Sequence, residues 1–181
     1  MKSFTEAKVR LADALPARER AALARAMGAR VIAAAGRLPV SVVCDDEEVA
    51  AWAVELGASV IWSPGVGLNG AVTDGVLQLA ESGAIEVIVA HADLPLADDL
   101  ARLAGFAGVT FVPDRHGDGT NVLCVPTGVD FRFAYGPGSF ARHRDEADRL
   151  GLPYRVLRDP RLGWDVDVPA DLDLPTGEPC T

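Results

Sequence analysis

Residues 88–96 read Ile88-Val-Ala-His-Ala-Asp-Leu-Pro-Leu96. An apolar run ends, His91 and Asp93 follow at once, and Pro95 turns the chain away. That pattern predicts a buried strand over residues 87–90 with a carboxylate just beyond its carboxyl end. The same beat recurs on both sides. Residues 40–44 and 58–62 are short apolar runs bounded by turn residues, and 109–112, 122–125 and 154–157 are further extended runs. Between them, residues 6–35 are alanine-rich with Leu15, Leu23, Met27 and Val31 at near-helical spacing, and Gly36 ends the pattern. Helices are also predicted from near Glu47 and over 69–81, 98–104 and 139–150. Strands alternating with helices require crossover connections, so the sequence predicts an α/β fold: a single-domain, three-layer αβα sandwich, Rossmann-like, around a mostly parallel central sheet. In such sheets ligands bind outside the carboxyl ends of the strands, where Asp93 stands.

The bulk properties agree. A chain of 181 residues, 49% hydrophobic and 24% charged, suits one core. We assign residues 1–174 to the domain and 175–181 to a short flexible tail, because Pro175, Gly177 and Pro179 stop the final helix. No run of about 18 apolar residues could span a bilayer, and the start lacks the apolar stretch of a secretory signal. A soluble, cytoplasmic protein is expected. Cys44, Cys124 and Cys180 stand far apart, which suggests reduced, structural thiols. A net charge of −9 argues against nucleic acid and anionic membranes as partners. A phosphorylated substrate would need local cations, such as Lys2, Lys8 and Arg10, or the group Arg142, His143 and Arg144.

Five segments could carry chemistry. Asp93 can hold Mg²⁺ through one oxygen while phosphates supply others, or it can be a turn residue. Asp165 and Asp167 lie two apart in an extended segment, so both project to one face and favour a shared cation; a solvated turn, continued by Asp171 and Asp173, is the plain alternative. In 114–121, Gly117 and Gly119 permit close backbone approach, and Thr120 and Asn121 offer short neutral donors for a phosphate or carboxylate. In 136–143, Gly136 opens a flexible turn and Ser139 begins a helix, whose N-terminus attracts anions with help from Arg142 or His143; Ser139 could also be simply an N-cap. The fifth, Gly65-Val-Gly-Leu-Asn-Gly70, matches the GxGxxG of dinucleotide-binding proteins. It supports a rival reading as a nicotinamide-nucleotide-binding protein, although Ser63 and Pro64 intervene between strand and first glycine. The three histidines show no zinc spacing, and no serine sits in a GxSxG elbow.

Six stretches occur in an order that identifies a family: AKVRLA at 7–12, GLN at 67–69, ADLPL at 92–96, DRHGDGTNVL at 114–123, GPGSFARH at 136–143 and DVDVPADL at 165–172. The chain resembles the 2-phospho-L-lactate or phosphoenolpyruvate guanylyltransferases of coenzyme F(420) biosynthesis, which share the fold of the molybdopterin-cofactor guanylyltransferases. The resemblance implies a nucleotidyltransferase domain over 1–174 that moves GMP from GTP to a small phosphorylated carboxylic acid and releases pyrophosphate, with Mg²⁺ as cofactor. Phosphoenolpyruvate is preferred as acceptor because the Ala-, Arg- and Gly-rich composition resembles that of actinobacterial members. It further implies that Thr120, Asn121, Gly136, Ser139 and Arg142 hold the acid, and that Lys2, Lys8, Arg10 and Asn69 approach the nucleotide. Asp93 with Asp165 or Asp167 would bind the metal, and Asp93 and Lys8 would be catalytic. A monomer or homodimer is expected. Two departures are visible. The family begins with a strand ending in a Pro-Val-Lys loop, so a first strand is expected to be missing here, which keeps open a catalytically inactive nucleotide-binding module. Its usual DVDTP is also DVDVP, so Val168 lacks the hydroxyl that would cap the next helix.

Overall fold

A computed structural model describes Met1 and residues 3–174. Lys2 and residues 175–181 lie outside the described residues, and with them the expectations for Lys2, Cys180 and the tail.

The elements follow the predicted alternation: α1 (Ala17–Ala34), β1 (Ser41–Cys44), α2 (Glu47–Glu55), β2 (Ser59–Trp62), α3 (Gly67–Glu81), β3 (Glu86–Ala90), β4 (Val109–Pro113), β5 (Thr120–Pro126), α4 (Ser139–Arg149) and β6 (Tyr154–Val156). Strands β1 and β2 pair in parallel. The other four form a sheet in the order β3-β5-β4-β6. There β3, β4 and β6 share one direction, while β5 runs against both neighbours. The reversal has a local cause: β4 and β5 are joined by a hairpin loop too short for a parallel crossover. Val122, Leu123, Cys124 and Val125 of β5 are wholly buried. That is the continuous apolar run of a strand covered on both faces.

Most of the stretch 6–35 is helical as expected, but its start is not: Phe4–Glu6 and Val9–Leu11 are 3₁₀ turns, and α1 begins only at Ala17. Pro16, with no N–H and a fixed φ, can start a helix but cannot continue one from upstream. The helix predicted over 98–104 shrinks to the 3₁₀ turn Ala101–Leu103. Leu94, Ala97, Leu100 and Leu103 are all buried. A spacing of three suits tight turns better than an α-helical stripe.

The sheet is interrupted between β1 and β3. A cavity of about 840 Å³ separates their facing edges, walled by Met27 and Val31 of α1 and by Val72 and Val76 of α3. Helix α3 can lie close on β1 because Gly75 has no side chain; a Cβ there would stand 2.7 Å from Val43 Cγ2. The Met1 ammonium donates to the Val43 carbonyl on this open edge of β1. The missing strand implied by the resemblance is thus matched by a gap in the sheet. At its polar end the cavity reaches Lys8, His91, Asp93 and Asp167.

Candidate active site

Beyond β3, the His91 N–H donates to the Asn121 carbonyl (3.0 Å), and the Asp93 carbonyl accepts from the Val166 N–H (3.2 Å). These bonds bring the 165–167 segment to the strand end where Asp93 was expected. Lys8 Nζ stands between two of the carboxylates, donating to Asp93 Oδ2 at 2.6 Å and to Asp167 Oδ1 at 3.1 Å. Its side chain is only 12% exposed. Burial pulls its pKa down, but the two carboxylates outweigh that and raise it, so Lys8 stays charged. Lys8 is also the one non-glycine with a left-handed backbone among the described residues, φ 54°. Such a conformation costs about 1–3 kcal/mol and persists only where the surroundings demand it.

Arg10 reaches Asp167 at 3.3 Å from a largely exposed position on the rim. Asp165 turns instead toward Asn121 Nδ2 and Arg115 Nη1, each 3.5 Å away. Burial raises its pKa, and the charges of Asp93 and Asp167 add to the effect. Of the expected metal carboxylates, Asp93 and Asp167 share one cation, while Asp165 sits to the side. Among the described residues no three metal-ligating groups converge.

The residues expected to hold the acid are brought together by bonds between two loops. Ser139 Oγ accepts from the Thr120 N–H (3.0 Å), and Asp118 takes the Gly138 N–H on Oδ2 (2.9 Å). Gly138, in the left-handed region, occupies the N-cap, so Ser139 is the first residue of α4 rather than its cap. Gly136, at φ 112°, accepts the Ser139 N–H. Asn121 is buried and donates to the Leu162 carbonyl at 3.0 Å.

His143 is fully buried beneath Thr120. Its Nε2 accepts from the Ala134 N–H (2.9 Å), so Nδ1 carries the proton and donates to Thr120 Oγ1 at 3.0 Å. The Thr120 hydroxyl hydrogen is therefore not committed to His143. Burial first, then the positive charge of Arg142, lowers the His143 pKa to about 4. The imidazole is therefore neutral at pH 7, which corrects the expectation that it could add charge to an anion site.

Arg142 is also redirected. Its guanidinium donates to the carbonyls of Ala134, Pro137 and Gly136, so it shapes the 134–138 turn. Asn69 does similar work from α3: its Oδ1 accepts from the Tyr135 N–H at 2.7 Å, tying α3 to the turn before Gly136.

Sequence reasoning missed Arg115 and Asp171. Asp171 Oδ2 accepts from the Asp167 and Val168 N–H groups at 2.7 and 2.8 Å, and Oδ1 pairs with Arg115. Arg115 lies over the Trp164 ring, 4.4 Å from its centroid, and donates to the Asp165 carbonyl. Asp171 thus supplies only the reciprocal half of a capping box, taking the N–H groups that enter the turn, while its own N–H donates to the Val168 carbonyl where a hydroxyl could have accepted it. The D-x-x-x-D spacing from 167 to 171 was the available signal, and it was read as a solvated run.

Carboxylates and a lysine meet at the carboxyl end of β3, the strand bordering the gap, beside two glycine turns held by short polar side chains, the place where an α/β sheet of the nucleotidyltransferase class is expected to bind its ligands. Solved structures share the fold. A putative nucleotide-diphospho-sugar transferase from Desulfovibrio desulfuricans G20 superimposes with a TM-score of 0.74 at 18% identity, covering 95% of this chain and 81% of that one. CMP:2-keto-3-deoxy-manno-octonic acid synthetase, complexed with CTP, gives 0.57 at 14% identity over 83% of this chain and 84% of that one.

Residues 1–174 match the family described as Guanylyl transferase CofC like, and the chain belongs to that family. It is 36% identical to the phosphoenolpyruvate guanylyltransferase of Sphaerobacter thermophilus over 94% of this chain and 86% of the relative. With the enzyme of the same name from Thermomonospora curvata it shares 41% identity over 95% and 78%. The protein is thus a nucleotidyltransferase, which removes the nicotinamide-nucleotide reading. The glycine loop agrees: a Cβ at Gly70 would stand 2.7 Å from Val66 Cβ, so that glycine serves packing inside its own loop. No described helix is long and apolar enough to cross a membrane.

Proposed function

We propose that this chain transfers the guanylyl group of GTP to the phosphate of phosphoenolpyruvate, with release of pyrophosphate and with Mg²⁺ as cofactor. The observation that carries the reading is Lys8 held between Asp93 and Asp167 beside the Thr120–Ser139 acceptor loops. The relatives' names support the acceptor and the guanylyl donor. The same reading places the reaction in the cytoplasm and in coenzyme F(420) biosynthesis.

The residues present fit a divalent cation. Asp93 and Asp167 already enclose one positive charge, and Asp93 Oδ1 is buried with no hydrogen-bond partner among the described residues. A lone buried carboxylate oxygen carries a desolvation cost that a cation would offset. Asp93 and Asp167 would hold Mg²⁺, with Asp165, turned toward Asn121 and Arg115, beside them. When bound, the ion screens the phosphates and stabilises charge on the departing pyrophosphate.

The chain's own residues do the rest. A phosphate monoester has a second pKa of about 6, so the acceptor's oxygen is already ionised at neutral pH and needs no protein base. Thr120, with its hydroxyl proton released by His143, and the turn around Gly136 and Ser139 hold the acid so that this oxygen faces the α-phosphorus. Alignment of two bound anions is then the main work of the protein. Lys8 and Arg10 stand on the nucleotide side, where their charge offsets that of the triphosphate. Replacing Asp93 by Asn should abolish pyrophosphate release from GTP and phosphoenolpyruvate while the melting temperature changes little. Near-normal turnover in that variant would remove Asp93 from the chemistry.

A further inference from the structure

The strained, buried lysine raises a question that its charge alone does not answer. A lysine meant only to greet phosphates could wait at the rim, as Arg10 does with its 74% exposed side chain. Lys8 instead lies 2.6 and 3.1 Å from the two carboxylates best placed for a divalent ion. It holds that place from a left-handed backbone position that L-residues avoid. Its ammonium stands where a metal would stand, and the two cations cannot share the position.

We propose that Lys8 is an interlock: it occupies the metal position of the nucleotide-free enzyme, keeps free divalent cations out, and yields only to a cation arriving with a nucleotide. The inference rests on the reading of Asp93 and Asp167 as metal carboxylates. The exchange follows from the charge balance. A bare divalent ion entering the pair would have to expel the ammonium from both carboxylates while bringing no anion of its own to replace them. A nucleotide brings phosphate oxygens with its cation, so the expelled Lys8 gains fresh anionic partners within the swing of its own side chain. Each hydrogen bond it loses to a carboxylate is replaced by one to a phosphate. Binding order follows: metal and nucleotide enter together, and the enzyme holds no metal between turnovers.

The test uses Mn²⁺ alone, followed by electron paramagnetic resonance and by thermal melting, on the full chain without nucleotide. The wild type should show no Mn²⁺ site and no rise in melting temperature with Mn²⁺, yet should melt higher with Mn²⁺ and GTP together. Lys8→Met should bind free Mn²⁺ about ten- to a hundredfold more tightly, the range set by hydrogen bonds to a charged group. The gain should vanish in Lys8→Met with Asp93→Asn. Lys8→Gln, which keeps a neutral donor, should fall between, and it stands in should the Met variant fail to fold. If neither variant binds Mn²⁺ more tightly than the wild type, while Mn²⁺ with GTP still stabilises the wild type and not Asp93→Asn, the interlock is wrong and the metal carboxylates stand. If Mn²⁺ with GTP stabilises Asp93→Asn as much as the wild type, the metal assignment itself falls, and the interlock with it.

Discussion

Acid should destabilise this fold through one residue more than its surface charges would suggest. His143 is fully buried and neutral, with both ring nitrogens engaged, and its pKa is lowered to about 4. In the unfolded chain it would titrate near 6.5. The depressed value means that the unfolded state takes the proton first. Stability is therefore intact above about pH 6.5, is lost as the pH falls toward 4, and loses little more below that. Between pH 7 and pH 4.5 the loss from this residue is about 2 kcal/mol, or roughly 4–8 °C in melting temperature for a chain of this size. Carboxylates titrate in the same window, so the measurement must be a difference. Urea unfolding of the wild type and of His143→Gln at pH 7, 6, 5 and 4.5 isolates the histidine. The variant should be less stable at pH 7, and the gap should narrow by about 2 kcal/mol at pH 4.5 because only the wild type has this proton to take up. Parallel curves would show that His143 is not held neutral in the fold, and the tautomer assigned to it would fall as well.

Thr120→Val and Ser139→Ala should raise the acceptor KM by about three- to tenfold, the worth of one hydrogen bond, with the GTP KM nearly unchanged; movement of the GTP KM instead would reassign these loops to the nucleotide. Arg115→Met leaves the 4% exposed Asp171 carboxylate without its cation and should cost about 1–3 kcal/mol by denaturant unfolding, together with turnover, because the 165–167 segment loses its brace. In hydrogen exchange, the Val43 amide at the open edge of β1 should exchange far faster than those of Val122 to Val125, which lie in a strand paired on both sides. Equal protection would mean that the edge is covered.

Most of the fold was legible because its signals are local. The apolar run before Asp93 needed no knowledge of partners to be read as a strand, and its carboxyl end fixed where the carboxylates would matter. What failed depended on contacts distant in sequence. The 98–104 stretch carries helix-forming residues, yet its leucines are spaced for turns that dock on the core, and only the core decides between them. Arg142 was placed on the substrate because a cation after a glycine turn looks like an anion site; the carbonyls of Ala134 and Gly136 become its partners only once the turn has curled around it. His143 was read as a charge for the same reason. Asp171 was hidden because its cation, Arg115, lies in another loop.

The acidity of the chain takes on a different meaning once the pairings are known. A net charge of −9 suggests a surface that repels phosphates, and yet three basic side chains of the candidate centre are already matched by acids, Lys8 by Asp93 and Asp167, Arg10 by Asp167, and Arg115 by Asp165 and Asp171, while Arg142 is engaged by backbone carbonyls. A polyanion without its own counter-ion, such as a nucleic acid, meets no free positive field and gains little. On the proposed exchange, a nucleotide that carries a divalent cation would meet a site in which partners change places, the metal passing to the carboxylates and the lysine to the phosphates. Binding of that kind would need no excess of positive charge and would select for a ligand that brings metal and phosphate together.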